Sequence, residues 1–380
     1  MGALQLPPLG LYVHLPWCER KCPYCDFNSH EARSLPEAAY IDSLLADLEA
    51  DLHFVQGREV GTLFIGGGTP SLFSAAGIQH LMGGIAARVA LAEGFEATLE
   101  ANPGSAEAEK FAGFRAAGIN RLSLGIQSFQ NAQLAALGRV HNSDQAHAAV
   151  GAARQAGFQR INLDLMHGLP GQTAAAALAD LATASAYQTG HLSWYQLTIE
   201  QNTVFYKQRP ILPEEDILAD IQDAGEVQLC AAGLAPYEVS AWAATGEQCR
   251  HNLNYWEFGD YLGIGAGAHG KISFPDGRIL RYSKRRQPDA YMAAQGDWQV
   301  QPQWLSDAER PGEYMLNALR LNSGFALPDY TARTGLPCST LQPALDSLVA
   351  RGLLVQEGEQ LRASELGRRF LDSVITEFLA

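Results

Sequence analysis

No apolar run in this chain reaches the roughly eighteen residues that a membrane-spanning helix needs. The opening stretch, Met1 to Gly10, lacks the basic, apolar and small-residue parts of a secretory leader. A cytoplasmic protein is therefore expected. Positive charge is scarce: 27 Lys and Arg stand against 41 Asp and Glu, a net charge of −14, which disfavours generic binding to nucleic acid or an anionic membrane surface. Cysteine is sparse too, with six residues in 380. In a reducing compartment such thiols serve as ligands, catalysts or core filler before they serve as disulfides. What the chain does not lack is apolar material, 47% of its residues, enough for an ordered molecule with one large domain and a small one.

Three of the six cysteines fall together, at Cys18, Cys22 and Cys25. A 4Fe-4S cubane has four irons and normally takes four thiolates, so a three-thiolate loop leaves one iron open to a small molecule. S-adenosylmethionine suits that corner, because its amino and carboxylate groups can chelate the iron while an injected electron splits the sulfonium. Two other readings fit the same residues. Cys22-Pro23-Tyr24-Cys25 alone is the dithiol sequence of a glutaredoxin-like oxidoreductase, and the three thiols with His14, His30 or a distant cysteine could close a structural zinc site.

Along the chain, apolar β-rich segments alternate with helical ones from Leu9 to about Leu234, the pattern of a parallel sheet with crossover helices. Strands are expected at Leu11 to Leu15, Thr62 to Ile65, Ala97 to Ala101, Arg121 to Gly125, Arg160 to Met166 and Leu192 to Thr198. Helices are expected over Pro36 to Phe54, Ser74 to Leu91, Ser105 to Ala117, Ser143 to Ala156, Thr173 to Thr189 and Glu214 to Leu234. Six such units make an α/β fold, a partial (β/α)6 TIM-like barrel spanning residues 1–235, with a doubly wound open sheet as the alternative. Residues 236–300 are less regular and form a connecting region, crowded with Trp, Gly and aromatic residues and closing on the basic stretch Arg278 to Arg286. Residues 301–380 form a small, mainly helical module with the outline of a winged helix: helices at Glu309 to Leu321, Pro328 to Thr334 and Ser339 to Arg351, then a short hairpin. Seven arginines, no lysine and ten acids there are a poor footprint for DNA.

In barrels of this type, functional residues come from the C-terminal ends of the strands. The cysteine loop follows the first expected strand, Gly66-Gly67-Gly68-Thr69-Pro70 follows the second, Glu100 closes the third, Gln127 the fourth, and Asp164 sits late in the fifth. The glycine run is not a nucleotide P-loop, since no Gly-Lys-Ser/Thr follows. Its bare backbone would let a ligand's amino group approach without meeting a Cβ.

The chain resembles the radical S-adenosylmethionine proteins of the oxygen-independent coproporphyrinogen III oxidase family, and within it the haem-chaperone branch. The resemblance runs nearly end to end, over Tyr12-Val13-His14-Leu15-Pro16-Trp17-Cys18, Cys22 to Asn28, Gly66 to Pro70, Glu100-Ala101-Asn102-Pro103, Gly125 to Ser128, Gly138-Arg139-Val140-His141, Asp164 to Gln172 and His251-Asn252-Leu253-Asn254-Tyr255-Trp256. It implies a radical S-adenosylmethionine barrel with a HemN-type C-terminal domain, and cluster ligation by Cys18, Cys22 and Cys25. One S-adenosylmethionine would touch Tyr12, Gly67 and Glu100. In the oxidase branch a second is held by residues matching Tyr24, Gly68, Thr69, Gln127, Arg139 and Asp164, so one or two such molecules are implied here.

Two departures separate this chain from the oxidase. Its motif continues Cys-x-Cys after the third ligand, where Phe27 stands here, and it has a longer extension ahead of the cluster loop. Both favour the haem-chaperone branch over oxidative decarboxylation of coproporphyrinogen III, which stays the alternative. The His-Asn-x-x-Tyr-Trp segment resembles that branch's signature: the His251 imidazole could ligate haem iron, Tyr255 and Trp256 could stack on the macrocycle, and Arg278, Arg281, Lys284, Arg285 and Arg286 could pair with propionates. Cys249 and His269 are weaker ligand candidates. No catalytic residue is assigned. The expected partners are haem and a haem-accepting protein, a membrane respiratory enzyme, with the chain in the cytoplasm or peripherally associated with the membrane.

Overall fold

The computed structural model describes residues 5–379, so Met1 to Leu4 of the opening segment and Ala380 lie outside it. All six expected strands form: β1 (Leu9–Leu15), β2 (Val60–Gly67), β3 (Leu91–Ala101), β4 (Arg121–Gln127), β5 (Arg160–His167) and β6 (Gly190–Gln196). Each pairs in parallel with the next. Six of the seven residues of β1 are buried, as a parallel strand covered on both faces requires.

Crossover helices follow the sequence pattern: α1 (Glu37–Asp51), α2 (Ala75–Ala86), α3 (Phe111–Ala116), α4 (Ser143–Gln155), α5 (Ala174–Ala186) and α6 (Glu215–Ala231). Side-chain caps start several of them, since Ser74 and Thr173 accept the N–H groups of Gly77 and Ala176. Asn142, not Ser143, caps α4, in a reciprocal capping box with Gln145. The helix expected over Ser105 to Ala117 is broken before α3. There the Lys110 ammonium turns to the carbonyls of Ser71 and Leu72, each at 2.9 Å, satisfying the turn that follows the glycine run.

The region expected to be an irregular connector belongs to the same sheet. It holds β7 (Ala235–Glu238), β8 (Ala241–Ala243), α7 (Arg250–Trp256), β9 (Asp260–Ile264), β10 (His269–Ser273) and β11 (Ile279–Lys284), with β12 (Gln299–Trp304) just beyond. The order is β12-β11-β10-β9-β1-β2-β3-β4-β5-β6-β8-β7. β9 is parallel to β1, whereas β10, β11 and β12 run as an antiparallel meander. β9 and β10 are short, with glycines at 263 and 270 inside them and at 265 and 267 in the turn between, which erases the alternation that would announce them.

The C-terminal module matches its expected outline, with α8 (Arg310–Ala318), α9 (Leu327–Thr334), α10 (Ala344–Ala350) and the strands β13 (Phe325–Ala326), β14 (Leu354–Glu357) and β15 (Gln360–Ala363). A separate apolar cluster that includes Tyr314, Met315, Leu348 and Leu361 forms its core. Among the described residues no helix is long and apolar enough to cross a membrane.

A buried ionic group ties the meander to the barrel. Lys284 Nζ on β11 lies 2.6 Å from Asp47 and 2.7 Å from Asp51, both on α1. Tyr291 donates to Asp47 at 2.6 Å and Gln299 to Asp51 at 2.9 Å. Lys284 is therefore withdrawn from the propionate role expected of it: its ammonium is neutralised and hydrogen-bonded in the interior. Lys284→Ala strands two carboxylates without their cation, so a loss of about 3–5 kcal/mol is expected, read as a lower urea midpoint of the purified chain.

Candidate functional site

The residues expected to hold the cluster and S-adenosylmethionine lie at or just beyond the C-terminal ends of the barrel strands. After β1 the chain makes a short parallel bridge, Trp17 with His30 and Cys18 with Glu31, and the thiol loop is the excursion between its two sides. Cys25 N–H closes a turn on the Cys22 carbonyl at 3.1 Å. Trp17 anchors the entry, packing edge-on against the buried Tyr40 at 4.6 Å between centroids. On the far side, Phe205 N–H reaches the Pro23 carbonyl at 3.0 Å.

All three thiols are free and partly exposed. Among the described residues, no three His, Cys, Asp or Glu side chains converge as ligands of a single ion. Burial pushes the Cys18 and Cys25 thiols up from their ordinary value. His14, a candidate fourth zinc ligand, is engaged elsewhere: one ring nitrogen meets the Tyr12 hydroxyl at 2.9 Å and the other the Asn28 carbonyl at 2.9 Å. The donor set fits a three-thiolate cluster.

The glycine run lies directly against this loop. Gly68 N–H donates to the Leu15 carbonyl at 2.8 Å and Thr69 N–H to the Trp17 carbonyl at 2.7 Å. A Cβ at Gly68 would overlap the Trp17 backbone, and one at Gly67, whose φ is +115°, would come within 2.5 Å of the His14 ring. The bare backbone expected to admit a ligand is thus first needed to let the chain pack on itself. Gly67 N–H also donates to Glu100 Oε2 at 3.2 Å. Burial, with Asp164 nearby, pushes the Glu100 carboxyl up to about 8 despite that bond. Burial holds His14 down at about 4 and raises the Tyr12 hydroxyl, so all three side chains are pushed toward their neutral forms.

The residues matched to a second S-adenosylmethionine lie in or after β1, β2, β4 and β5. Arg139 Nη1 stands 3.5 Å from Cys22 Sγ, while Nη2 donates to Asn102 Oδ1 at 2.6 Å and the Gly125 carbonyl at 2.8 Å. Its Nε is buried without a partner, a donor left over. Asn102 in turn donates to Thr69 Oγ1 at 3.1 Å. Asp164 accepts from Ser123 at 2.9 Å and Asn162 at 2.8 Å, and burial raises its carboxyl. Tyr24 leans on Phe205 at 6.3 Å. Gln127 ends β4 in the left-handed region at φ +65°, a strained conformation for a non-glycine residue. Sequence reasoning gave no role to Asn102 and cast His14 only as a zinc ligand. Both lie within quoted motifs, and alternation along β1 and β3 puts them on the same face as Tyr12 and Glu100.

The haem residues expected in the connector sit differently. His251 on α7 is fully buried, with one ring nitrogen at 2.9 Å from Thr62 Oγ1 and the other at 2.8 Å from the Tyr255 hydroxyl. Burial lowers the imidazole to about 3. Neither nitrogen is free to meet an iron in this conformation. Trp256 lies under the Arg320 guanidinium at 4.4 Å, not on an open face. Cys249 is buried with its thiol pushed up to about 11, and His269 is exposed on β10. Of the basic stretch, Arg278 pairs with Asp276, Arg281 with Glu313 and Arg285 with Asp297. Arg286 makes no ion pair among the described residues.

Glu100→Gln is expected to stabilise the ligand-free chain by on the order of 1 kcal/mol, and more near pH 9 than near pH 6. With the folded carboxyl at about 8 and its ordinary value 4.5, the folded state holds more protons between those values. Stability therefore falls as pH rises through that window, and glutamine removes the fall. Thermal melts of both proteins at the two pH values check this, and parallel pH slopes would contradict it.

Comparison with known proteins agrees with this architecture. Residues 12–182 match the Radical SAM superfamily and residues 305–370 the HemN C-terminal domain. The chain is 48% identical over 378 residues to the heme chaperone HemW of Escherichia coli, covering 99% of this chain and 100% of that protein. It is 35% identical to the mitochondrial radical S-adenosyl methionine domain-containing protein 1 of Mus musculus, covering 97% and 87%. The solved structure of coproporphyrinogen III oxidase (HemN) from Escherichia coli, a radical SAM enzyme, superposes with a TM-score of 0.83 at 23% identity, over 99% of this chain and 91% of that one, a likeness of fold. On the full-length identity, the chain belongs to the HemW family of radical S-adenosylmethionine proteins.

Proposed function

We propose that this protein is a haem chaperone, which binds haem and passes it to an acceptor, a haem-dependent respiratory enzyme of the membrane, from the cytoplasmic side. The observation that carries the reading is the end-to-end similarity to proteins of that name. Phe27 supports it, exposed at 64% where the oxidase motif would carry another cysteine.

Cys18, Cys22 and Cys25 would hold a 4Fe-4S cluster, with one iron left for S-adenosylmethionine. When bound, such a cluster supplies the electron for reductive chemistry at the sulfonium. Tyr12, Gly67 and Glu100 would line the seat of that molecule. Glu100 is poised for a cation, since a ligand ammonium or sulfonium beside it would draw its proton off and turn a neutral wall into an ion pair. Tyr24, Gly68, Thr69, Gln127, Arg139 and Asp164 would line a second seat, in which the leftover Arg139 N–H is a donor suited to a carboxylate.

Anaerobically purified wild type should carry iron and sulfide that Cys18→Ser, Cys22→Ser and Cys25→Ser each abolish. The cluster-loaded protein should take up haem in a spectrophotometric titration and pass it to a haem-free respiratory enzyme. Given coproporphyrinogen III, reductant and S-adenosylmethionine without oxygen, it should form no substantial protoporphyrinogen. Formation of that product would instead make the chain an oxidase.

A further inference from the structure

We propose that the His251-Asn-x-x-Tyr255 stretch is a positioning element beneath the S-adenosylmethionine seat, acting through Phe64 on Tyr12, rather than the haem ligand set. The proposal rests on the S-adenosylmethionine reading given above. Its basis is one continuous column of rings. The Tyr255 ring meets His251 edge-on at 4.7 Å between centroids. His251 stacks on Phe64 at 5.4 Å with 28° between planes, and Phe64 stacks on Tyr12 at 6.4 Å and 24°. Tyr12 then hydrogen-bonds His14, whose ring fills the space beside Gly67.

The column touches the seat at a second point. A Cβ on Gly66 would come within 3.0 Å of both the Phe64 ring edge and Glu100 Oε2, so only the bare Gly66 backbone stands between Phe64 and the carboxylate. Of the three residues assigned to the ligand, Tyr12 therefore stacks directly on Phe64, Gly67 and Glu100 meet it around Gly66, and Phe64 rests on His251.

The base of the column is fixed from below. Glu96 Oε1 accepts the N–H groups of Arg250 at 2.8 Å and His251 at 3.2 Å, and its other oxygen pairs with Arg160 at 2.5 Å. Asn254 donates to the Asp260 carbonyl at 2.9 Å. α7 thus plugs the end of the barrel opposite the thiol loop and packs under β1, where a Cβ at Gly10 would come within 3.3 Å of both Asn254 and His251. An imidazole does here what a phenyl ring cannot. Its two nitrogens, bonded to Thr62 and to the Tyr255 hydroxyl, set the ring plane as well as its place, and that plane sets the tilt of Phe64. Holding a binding wall through a locked partner one layer behind is a general way to fix a ligand's geometry.

The test uses full-length, cluster-loaded protein with two readouts: S-adenosylmethionine affinity, and the change that S-adenosylmethionine causes in the electron paramagnetic resonance spectrum of the reduced cluster. His251→Ala and Phe64→Leu should each weaken binding about tenfold and alter that spectral change, with iron and sulfide content as in wild type. Tyr255→Phe removes one hydroxyl while keeping the ring, and His251→Phe keeps the stack while losing both hydrogen bonds; both should shift the spectrum in the same sense by less. These milder variants keep the proposal open to refutation should His251→Ala fail to fold. An unchanged affinity and spectrum across the folded variants would overturn it, and a weakened haem titration alongside would return His251 to the haem. A wild type that binds haem but no S-adenosylmethionine would overturn the underlying cofactor reading, and this proposal with it.

Discussion

Two backbone hydrogen bonds just past the ends of β1 and β2, Gly68 to Leu15 and Thr69 to Trp17, are what the site depends on. They continue the strand pairing beyond the strands themselves and so lock the thiol loop onto the glycine run. Without them the three thiols and the expected ligand seat would be two independent loops. With them, the distance from sulfur to seat is set by the sheet, and side chains on neighbouring strands need only the correct parity to face it. The contact is so close that Cβ atoms at Gly67 and Gly68 would collide with the neighbouring strand end. The glycines are therefore a packing requirement before they are a binding feature.

Much of this was legible in the sequence, for reasons that particular residues make plain. The six barrel strands and their helices carry strong periodicity and recognisable caps at Ser74 and Thr173, and polar residues at successive strand ends pointed to a candidate site. Less legible were β9 to β12, short strands with glycines in β9, β10 and the turn between them. The basic run from Arg278 to Arg286 looked like one surface feature. In the fold, alternation along β11 sends Lys284 inward to two aspartates more than two hundred residues earlier, a pairing no local pattern encodes. His251 shows the same limit from the other side. Its residue type and neighbours pointed to a ligand, while its burial and two hydrogen-bond partners arise from the tertiary placement of α7 under β1 and β2.

The interior of the barrel is polar, and its state when empty follows from burial. Glu100 and Asp164 have raised carboxyls, while His14 and His251 have lowered imidazoles. Acids and bases are thus all pushed toward their neutral forms. Such a pocket folds without paying for isolated charge, and a cationic ligand would supply what Glu100 lacks. The net charge of the chain says little about this place, because the local environment and not the sum decides which groups ionise.

Arg139 places a fixed cation beside the thiol loop, 3.5 Å from Cys22 Sγ and pinned by Asn102 and the Gly125 carbonyl. A positive charge held so near an iron–sulfur centre favours the form carrying the extra electron and raises the centre's midpoint potential. The same arginine that would orient a carboxylate would then also govern how easily the metal centre accepts its electron, and an anion binding there would make reduction harder.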